Sequence, residues 1–510
     1  MSQLHSTPSS SLPDPQQTGR RILINTGALA GSSLWRIVMS FLLQLLIARQ
    51  LGVVSLGQYT IVLAYLHLCQ VISELGLPTL LVRDLAQMPW LRRSYFYLTL
   101  RIQGIAALLV WAGLIGATTV LPLPEITRTL LWIAGASLPF YAITSVCQML
   151  FQSGERMEYV MVVDTSVNTS ILGLSLGALL VGGDTRSLVA ILVLTQMLSA
   201  ALGLYLVRRS ALLSGPQEPV AWQWSMLWQR SGPFLGLALA DVMLQRIDIV
   251  LLSIFAGELL VGIYSAAYNL LRVALKLIQN FWAALYPTLS RLYHQSPTHY
   301  RRLTNFALHY SLLALLAVAA IGVGITPVLL QFVYGNDFLD SAHVLQILLW
   351  TAPFYLLESY TQTVLMVERH PLHSLLISGV HLVTLALLLP LLVSSAPTLF
   401  MGNSLPAIGA LGAAIAVLVA SALGAAMSIH LQRRWQLPGR LRHGWRVALL
   451  VLVSSLFSLY GPLHWLARVV LNGLLFLVGG WLSRVVVYED WQQIERVLRR
   501  GKRPQPANSS

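Results

Sequence analysis

The sequence predicts an all-α polytopic membrane protein, and three observations carry that prediction: an extreme apolar composition, apolar segments of bilayer-crossing length, and a one-sided distribution of arginine. Of 510 residues, 56% are hydrophobic and only 10% charged, a balance foreign to soluble domains of this size. A spanning helix needs roughly 20 apolar residues. About fourteen such segments recur, near 22–48, 57–82, 95–121, 127–152, 159–181, 186–207, 231–256, 260–287, 303–332, 341–367, 372–394, 406–431, 445–461 and 463–487. The formal charge of +14 would suit nucleic acid if it were spread over one surface, but it is not. Arginines cluster in alternate loops, such as Arg20-Arg21, Arg83 to Arg101, Arg208-Arg209, Arg301-Arg302 and Arg433 to Arg446. The loops between carry little beyond Arg49, Arg128, Arg186 and Arg468. This is the positive-inside bias, which places both termini in the cytoplasm with an even number of spans and turns the basic surface toward anionic lipid.

The expected organisation follows the chain. Residues 1–20, rich in Ser, Pro and Gln, read as a disordered cytoplasmic N-terminus without a signal-peptide pattern. Six spans over 21–210 form an N-lobe. Residues 211–230, with Trp222, Trp224 and Trp228, read as an interfacial linker. Six more spans over 231–432 form a C-lobe. Two further helices lie in 445–487, where Gly473, Gly479 and Gly480 permit close packing, and 488–510 reads as a cytoplasmic amphipathic tail. Cys69 and Cys147 lie inside apolar segments and read as small core fillers, not as a disulfide.

The two lobes share a pattern. A Gly-x-x-x-x-Gly-x-Tyr turn at Gly52, Gly57 and Tyr59 returns at Gly257, Gly262 and Tyr264, and Glu155-Arg156 resembles Glu368-Arg369. Six helices separate the members of each pair, so the halves share orientation. That is a parallel repeat, and such repeats place a cargo site around a central cavity between lobes.

The hairpin from Ser231 to Ser290 concentrates the chemistry. Asp241, Gln245 and Asp248 fall on one face of its first helix and Arg272 and Lys276 on one face of its second, with Arg246 nearby. A charge at the bilayer centre costs a few kcal/mol on insertion scales. Two readings stand side by side: structural ion pairs, with Asp248 level with Arg272 and Asp241 with Lys276, or a charged site for a polar cargo. Helix one carries Asn25, Ser32 and Arg36 on a common face, with Arg36 too deep to reach the interface easily. Helix two carries His67, Gln70 and Glu74, followed by Arg83-Asp84, read as the start of a solvated loop. Asp164 lies on a polar stripe of helix five with Asn168 and Ser175. Glu358 lies on helix ten near Pro353, a kink candidate, and His381 reads as a hydrogen-bonded core histidine.

No His-Glu-x-x-His or Walker A pattern occurs, and the expectation is a protein with no catalytic residues, no metal and no cofactor.

The motifs Leu51 to Tyr59, Glu74-Leu75-Gly76-Leu77, Ile247-Asp248, Val261-Gly262-Ile263-Tyr264, Tyr286-Pro287-Thr288-Leu289-Ser290 and Tyr334-Gly335 with Phe338 resemble bacterial lipid-linked oligosaccharide flippases. These belong to the multidrug/oligosaccharidyl-lipid/polysaccharide exporter superfamily, and the resemblance covers essentially the whole chain. It implies alternating access in the bacterial cytoplasmic membrane, moving undecaprenyl-pyrophosphate-linked glycan to the periplasmic leaflet for O-antigen, capsule or exopolysaccharide synthesis. It implies pyrophosphate held by Arg36, Arg272 and Lys276, since Arg binds diphosphate bidentately, with Asn25, Glu74, Asp241, Gln245, Arg246 and Asp248 lining the cavity or pairing with those cations. Asp164 and Glu358 are then candidates to bind a coupling ion, H⁺ or Na⁺. The expected partners are the lipid-linked oligosaccharide, membrane lipids and polysaccharide polymerase machinery, not nucleic acid. Rival readings are a cation-coupled multidrug exporter, a peptidoglycan-precursor flippase and a membrane glycan polymerase or ligase.

Overall fold

The computed structural model describes residues 15–214, 224–399, 408–439, 444–460 and 465–482. Trp222, the tail beyond residue 482 and most of the expected N-terminal segment lie outside them, as does the side chain of Asn25. The described residues form helices and turns, with no strand among them. In chain order the helices are α1 (Pro15–Glu74), α2 (Leu77–Gln87), α3 (Arg92–Val120), α4 (Glu125–Gly135), α5 (Leu138–Ser153), α6 (Met157–Leu180), α7 (Thr185–Arg209), α8 (Trp224–Phe255), α9 (Gly257–Gln295), α10 (Pro297–Gly322), α11 (Thr326–Val333), α12 (Ser341–Leu349), α13 (Thr351–Val367), α14 (Pro371–Leu399), α15 (Ile408–Arg434), α16 (Gly444–Tyr460) and α17 (Trp465–Leu482). Among the described residues, eight helices are long and apolar enough to cross a membrane, or nine when α4 and α5 are taken as one span bent by 41°. The protein is a multi-pass membrane protein, and most of the described part of each expected apolar segment is helical.

Several expected spans are broken. The segment 127–152 divides between α4 and α5, where Pro139 starts a new helix, and 341–367 divides at Trp350, shortly before Pro353. Pro lacks the donor that would continue a helix but suits a first turn, so the expected kink is a helix start. The segment 303–332 breaks between Gly322 and Thr326. The expected external turn at 51–59 is narrower than the motif. Gly52 alone leaves helical geometry, at φ 81, and Gly57 and Tyr59 lie inside the following helix. Gly257 repeats this at φ 78, a left-handed backbone that glycine adopts without penalty.

The chain divides into two compact units, residues 1–46 with 65–242, and 47–64 with 243–510. In the first, α5 packs against α7, α3 and α2, and α6 packs on α7. Leu77, Leu81, Leu85, Val146, Leu150 and Phe151 form its described core, in which Cys147 is buried as a free thiol. In the second, α13 packs against α15 and α9, and α14 against α15. There α16 packs against α10 and α17, and Gly479 sits under Leu450 as a closely packing glycine should, whereas nothing crowds Gly473.

The internal repeat is written in hydrogen bonds. After α5, Gly154 N–H donates to Leu150 O and Arg156 N–H to Phe151 O; after α13, Glu368 N–H donates to Val364 O and His370 N–H to Leu365 O. Glu155 and Arg369 hold the left-handed position, at φ 57 and 64, in the same helix-ending motif. The equivalent of Glu155 is therefore Arg369. The Glu-Arg pairing read from the sequence is out of step by one residue, because helix termination is set by backbone geometry and not by side-chain identity.

Candidate functional site

The charged hairpin is α8 and α9. On α9 a residue every four positions builds one polar face: Tyr264, Tyr268, Arg272 and Lys276. The rings of Tyr264 and Tyr268 stack at 5.5 Å between centroids, and the Arg272 guanidinium lies 5.3 Å from the Tyr268 centroid, within cation–π range. Asp248, 4% exposed, accepts from the Tyr264 hydroxyl at 2.7 Å and from the Ile249 amide at 2.8 Å.

This arrangement overturns the ion-pair reading for Asp248. Arg272 and Arg246 act on it electrostatically, yet no salt bridge joins either to it among the described residues. A phenol on the preceding turns of α9 takes the carboxylate first. The Arg272 Nη2 is consequently buried with no hydrogen-bond partner, an arrangement that costs free energy unless a ligand satisfies it. Arg246 lies within electrostatic reach of Arg272, so two guanidinium groups surround one carboxylate that is already engaged. Asn269 and Tyr334 add buried polar atoms on the same side. Lys276 donates to Gln279 Oε1 at 2.9 Å, and Gln279 in turn donates to the Tyr355 hydroxyl. Asp241 and Gln245 are exposed whereas Asp248 is buried.

The first unit carries a second polar group. Glu74 accepts from Tyr141 at 2.9 Å and Ser145 at 2.8 Å, and Asp164 accepts from Gln148 Nε2 at 2.8 Å. Arg36 is exposed, acts electrostatically on Asp164 and Tyr141, and makes no ion pair among the described residues. Its neighbour Trp35 donates to Thr169 Oγ1 at 3.0 Å. Asp84 proves not to start a solvated loop. It is buried inside α2 and bridged by Arg230 at 2.7 Å and Arg83 at 3.0 Å. Glu358 is also buried, facing His381 of α14.

Sequence reading missed Tyr268, which the four-residue spacing to Arg272 would have revealed. It assigned Tyr264 and Tyr334 to motifs without chemistry. No group of three metal-ligating side chains occurs among the described residues.

The described residues form a multi-pass helical fold, and several solved structures share it. The chain is similar to the lipid II flippase MurJ in an inward closed conformation, with TM-score 0.69 and 13% identity over 89% of this chain and 98% of that one. It is similar to an inward-facing multidrug resistance MATE family transporter of the MOP superfamily, with TM-score 0.59 and 12% identity over 79% and 95%. A Vibrio cholerae MATE transporter, VcmN, gives 0.52 and 15% over 82% and 98%. These likenesses establish the fold. No curated protein matches the sequence. A family model described as "Polysaccharide biosynthesis protein" matches residues 22–293, over half of the chain, and the protein belongs to that family.

Proposed function

We propose that this protein is a flippase that carries a polyprenyl-pyrophosphate-linked oligosaccharide from the cytoplasmic to the outer leaflet of the bacterial inner membrane by alternating access, for assembly of a surface polysaccharide. It acts as a carrier and catalyses no bond change, and both its termini lie in the cytoplasm. The observation that carries this reading is the Arg272 Nη2, buried and unpartnered while Asp248 is held by Tyr264. A cation kept free of its neighbouring acid suits a cargo that brings its own negative charge. A diphosphate leaving water needs fixed donors, and arginine offers them in a planar fork. Arg246 and Lys276 on the same hairpin, and Arg36 in the first unit, supply further positive charge. Membership of the polysaccharide biosynthesis family supports a glycan on the lipid, and the MurJ-like fold supports a lipid-linked cargo.

The test is deletion of the gene followed by complementation. Wild type restores surface polysaccharide, and Arg272→Ala and Arg36→Ala, at wild-type abundance in the membrane, do not, while lipid-linked glycan accumulates on the inner leaflet. Full complementation by both variants defeats the assignment. Raised drug sensitivity with intact polysaccharide in the deletion strain would identify a multidrug exporter instead, lethality a peptidoglycan-precursor flippase, and altered glycan length with intact translocation a polymerase or ligase.

A further inference from the structure

Glu358 and His381 meet in the interior of the second unit, from α13 and α14. Glu358 is 4% and His381 9% exposed, and His381 Nδ1 lies 3.2 Å from both carboxylate oxygens. The third wall is α15, where Gly424 leaves room for the acid: a Cβ there would stand 2.7 Å from the Glu358 carboxyl carbon. One turn further along the same face of α15, the Ser428 hydroxyl is buried without a partner. A buried carboxylate is expensive unless neutralised, and ordinary packing needs neither residue here.

The internal repeat sharpens the point. Counting 214 residues back, the interval set by Leu365 and Phe151 in the equivalent helix ends, Glu358 falls on Thr144 and His381 on Val167. Thr144 donates to Ser199 Oγ at 3.2 Å, and neither equivalent position carries a titratable side chain. The acid–imidazole pair is therefore an addition to the second repeat and not a requirement of the fold.

We propose that Glu358 and His381 form a proton-binding site, used in the transport cycle of the carrier proposed above, on which this inference rests. An ionised carboxylate only accepts, so the imidazole donates from Nδ1 and Nε2 is left as the basic atom. With Nε2 unprotonated the buried pair carries one net negative charge. A proton from water adds to Nε2, gives imidazolium beside carboxylate and makes the pair neutral; the reverse step returns the proton to water. The other charged and titratable side chains on the packed helices do not act on Glu358. Lys276 of α9 is bonded to Gln279, His343 of α12 to Gln346, and His373 of α14 packs on Trp435. His309 lies on α10, and His430, Arg433 and Arg434 lie at the end of α15. Among the described residues, His381 is the group that acts on Glu358.

The experiment uses full-length protein in nanodiscs with ¹⁵N-histidine. The His381 resonance, assigned by its loss in His381→Asn, should move with pH at constant Na⁺, and Glu358→Gln should displace the midpoint of that movement. A resonance that ignores pH, follows Na⁺ instead, or keeps its midpoint in Glu358→Gln overturns the site. In cells, Glu358→Gln and His381→Asn should lose surface polysaccharide. Export retained by both but lost in Arg272→Ala would remove the proton site and leave the carrier reading intact. Export retained by all three would remove the carrier reading itself.

Discussion

Two glycines in the second unit lie directly against backbone, and replacing them gives a quantitative prediction. A Cβ added at Gly262 would overlap the Val53 carbonyl oxygen, and one added at Gly57 would overlap the Glu258 carbonyl oxygen. Both obstacles are backbone, so no side chain can rotate aside and the two helices must separate. Overpacking of a close contact costs about 1–3 kcal/mol, and the upper half of that range applies to each single Ala substitution because rigid helices must yield. Separation also stretches the hydrogen bond from Gln58 Nε2 to Glu258 Oε2, now 2.8 Å. Once one methyl has parted the helices, the second finds space already made. Gly57→Ala with Gly262→Ala should therefore cost less than the sum of the singles, with a coupling of about 0.5–3 kcal/mol. Reversible unfolding of the four proteins in mixed SDS micelles measures this. Singles that cost under about 0.5 kcal/mol, the ordinary surface range, or a strictly additive double variant, would refute the reasoning.

Three further outcomes follow from the site and the caps. Tyr264→Phe removes the 2.7 Å hydrogen bond to Asp248; a bond to a charged group is worth about 1.5–3 kcal/mol, so stability falls. The released carboxylate should also turn to Arg272, reducing surface polysaccharide without reducing protein abundance. Glu155→Gly and Arg369→Gly relieve left-handed backbone at φ 57 and 64 and should each stabilise by about 1 kcal/mol, read in the same unfolding assay. Glu368, in the turn after α13, is raised above the ordinary carboxylate range by burial, which outweighs the Tyr300 hydrogen bond at 3.0 Å and the nearby Arg301 and His370. A raised acid binds its proton more tightly in the folded state. The stability it contributes is complete below the unfolded carboxylate value and is lost as pH rises through the higher folded value. Glu368→Gln should flatten the melting temperature across that window, and an unchanged profile would count against it.

Apolar segment length was sufficient to place the helices, and the left-handed glycines at Gly52 and Gly257 were legible because only one residue type suits that backbone cheaply. The break at Gly135–Leu138 was not, although Pro139 marked it, whereas Pro353 did flag a kink beside the break at Trp350. Hydropathy is blind to a bend between two apolar helices. At the site, spacing along one helix was readable, so Arg272 and Lys276 were found together. Partners were misread wherever they lay on another turn or helix. Asp248 was matched to Arg272 by depth, whereas the phenol of Tyr264 reaches it; His381 was read correctly as a hydrogen-bonded core histidine, but its partner was not named because Glu358 precedes it by 23 residues on a different helix. Depth along a span is one coordinate, and pairing needs three.

The glycine crossing also constrains the sequence. Val53 stands to Gly262 as Glu258 stands to Gly57, with the interval of 205 residues that relates Gly52 to Gly257. Each glycine lies against the carbonyl four residues before the other, so the same contact is made twice. A change at either position displaces the backbone beside its counterpart, and both are thereby held to the smallest side chain while their surroundings are free to differ.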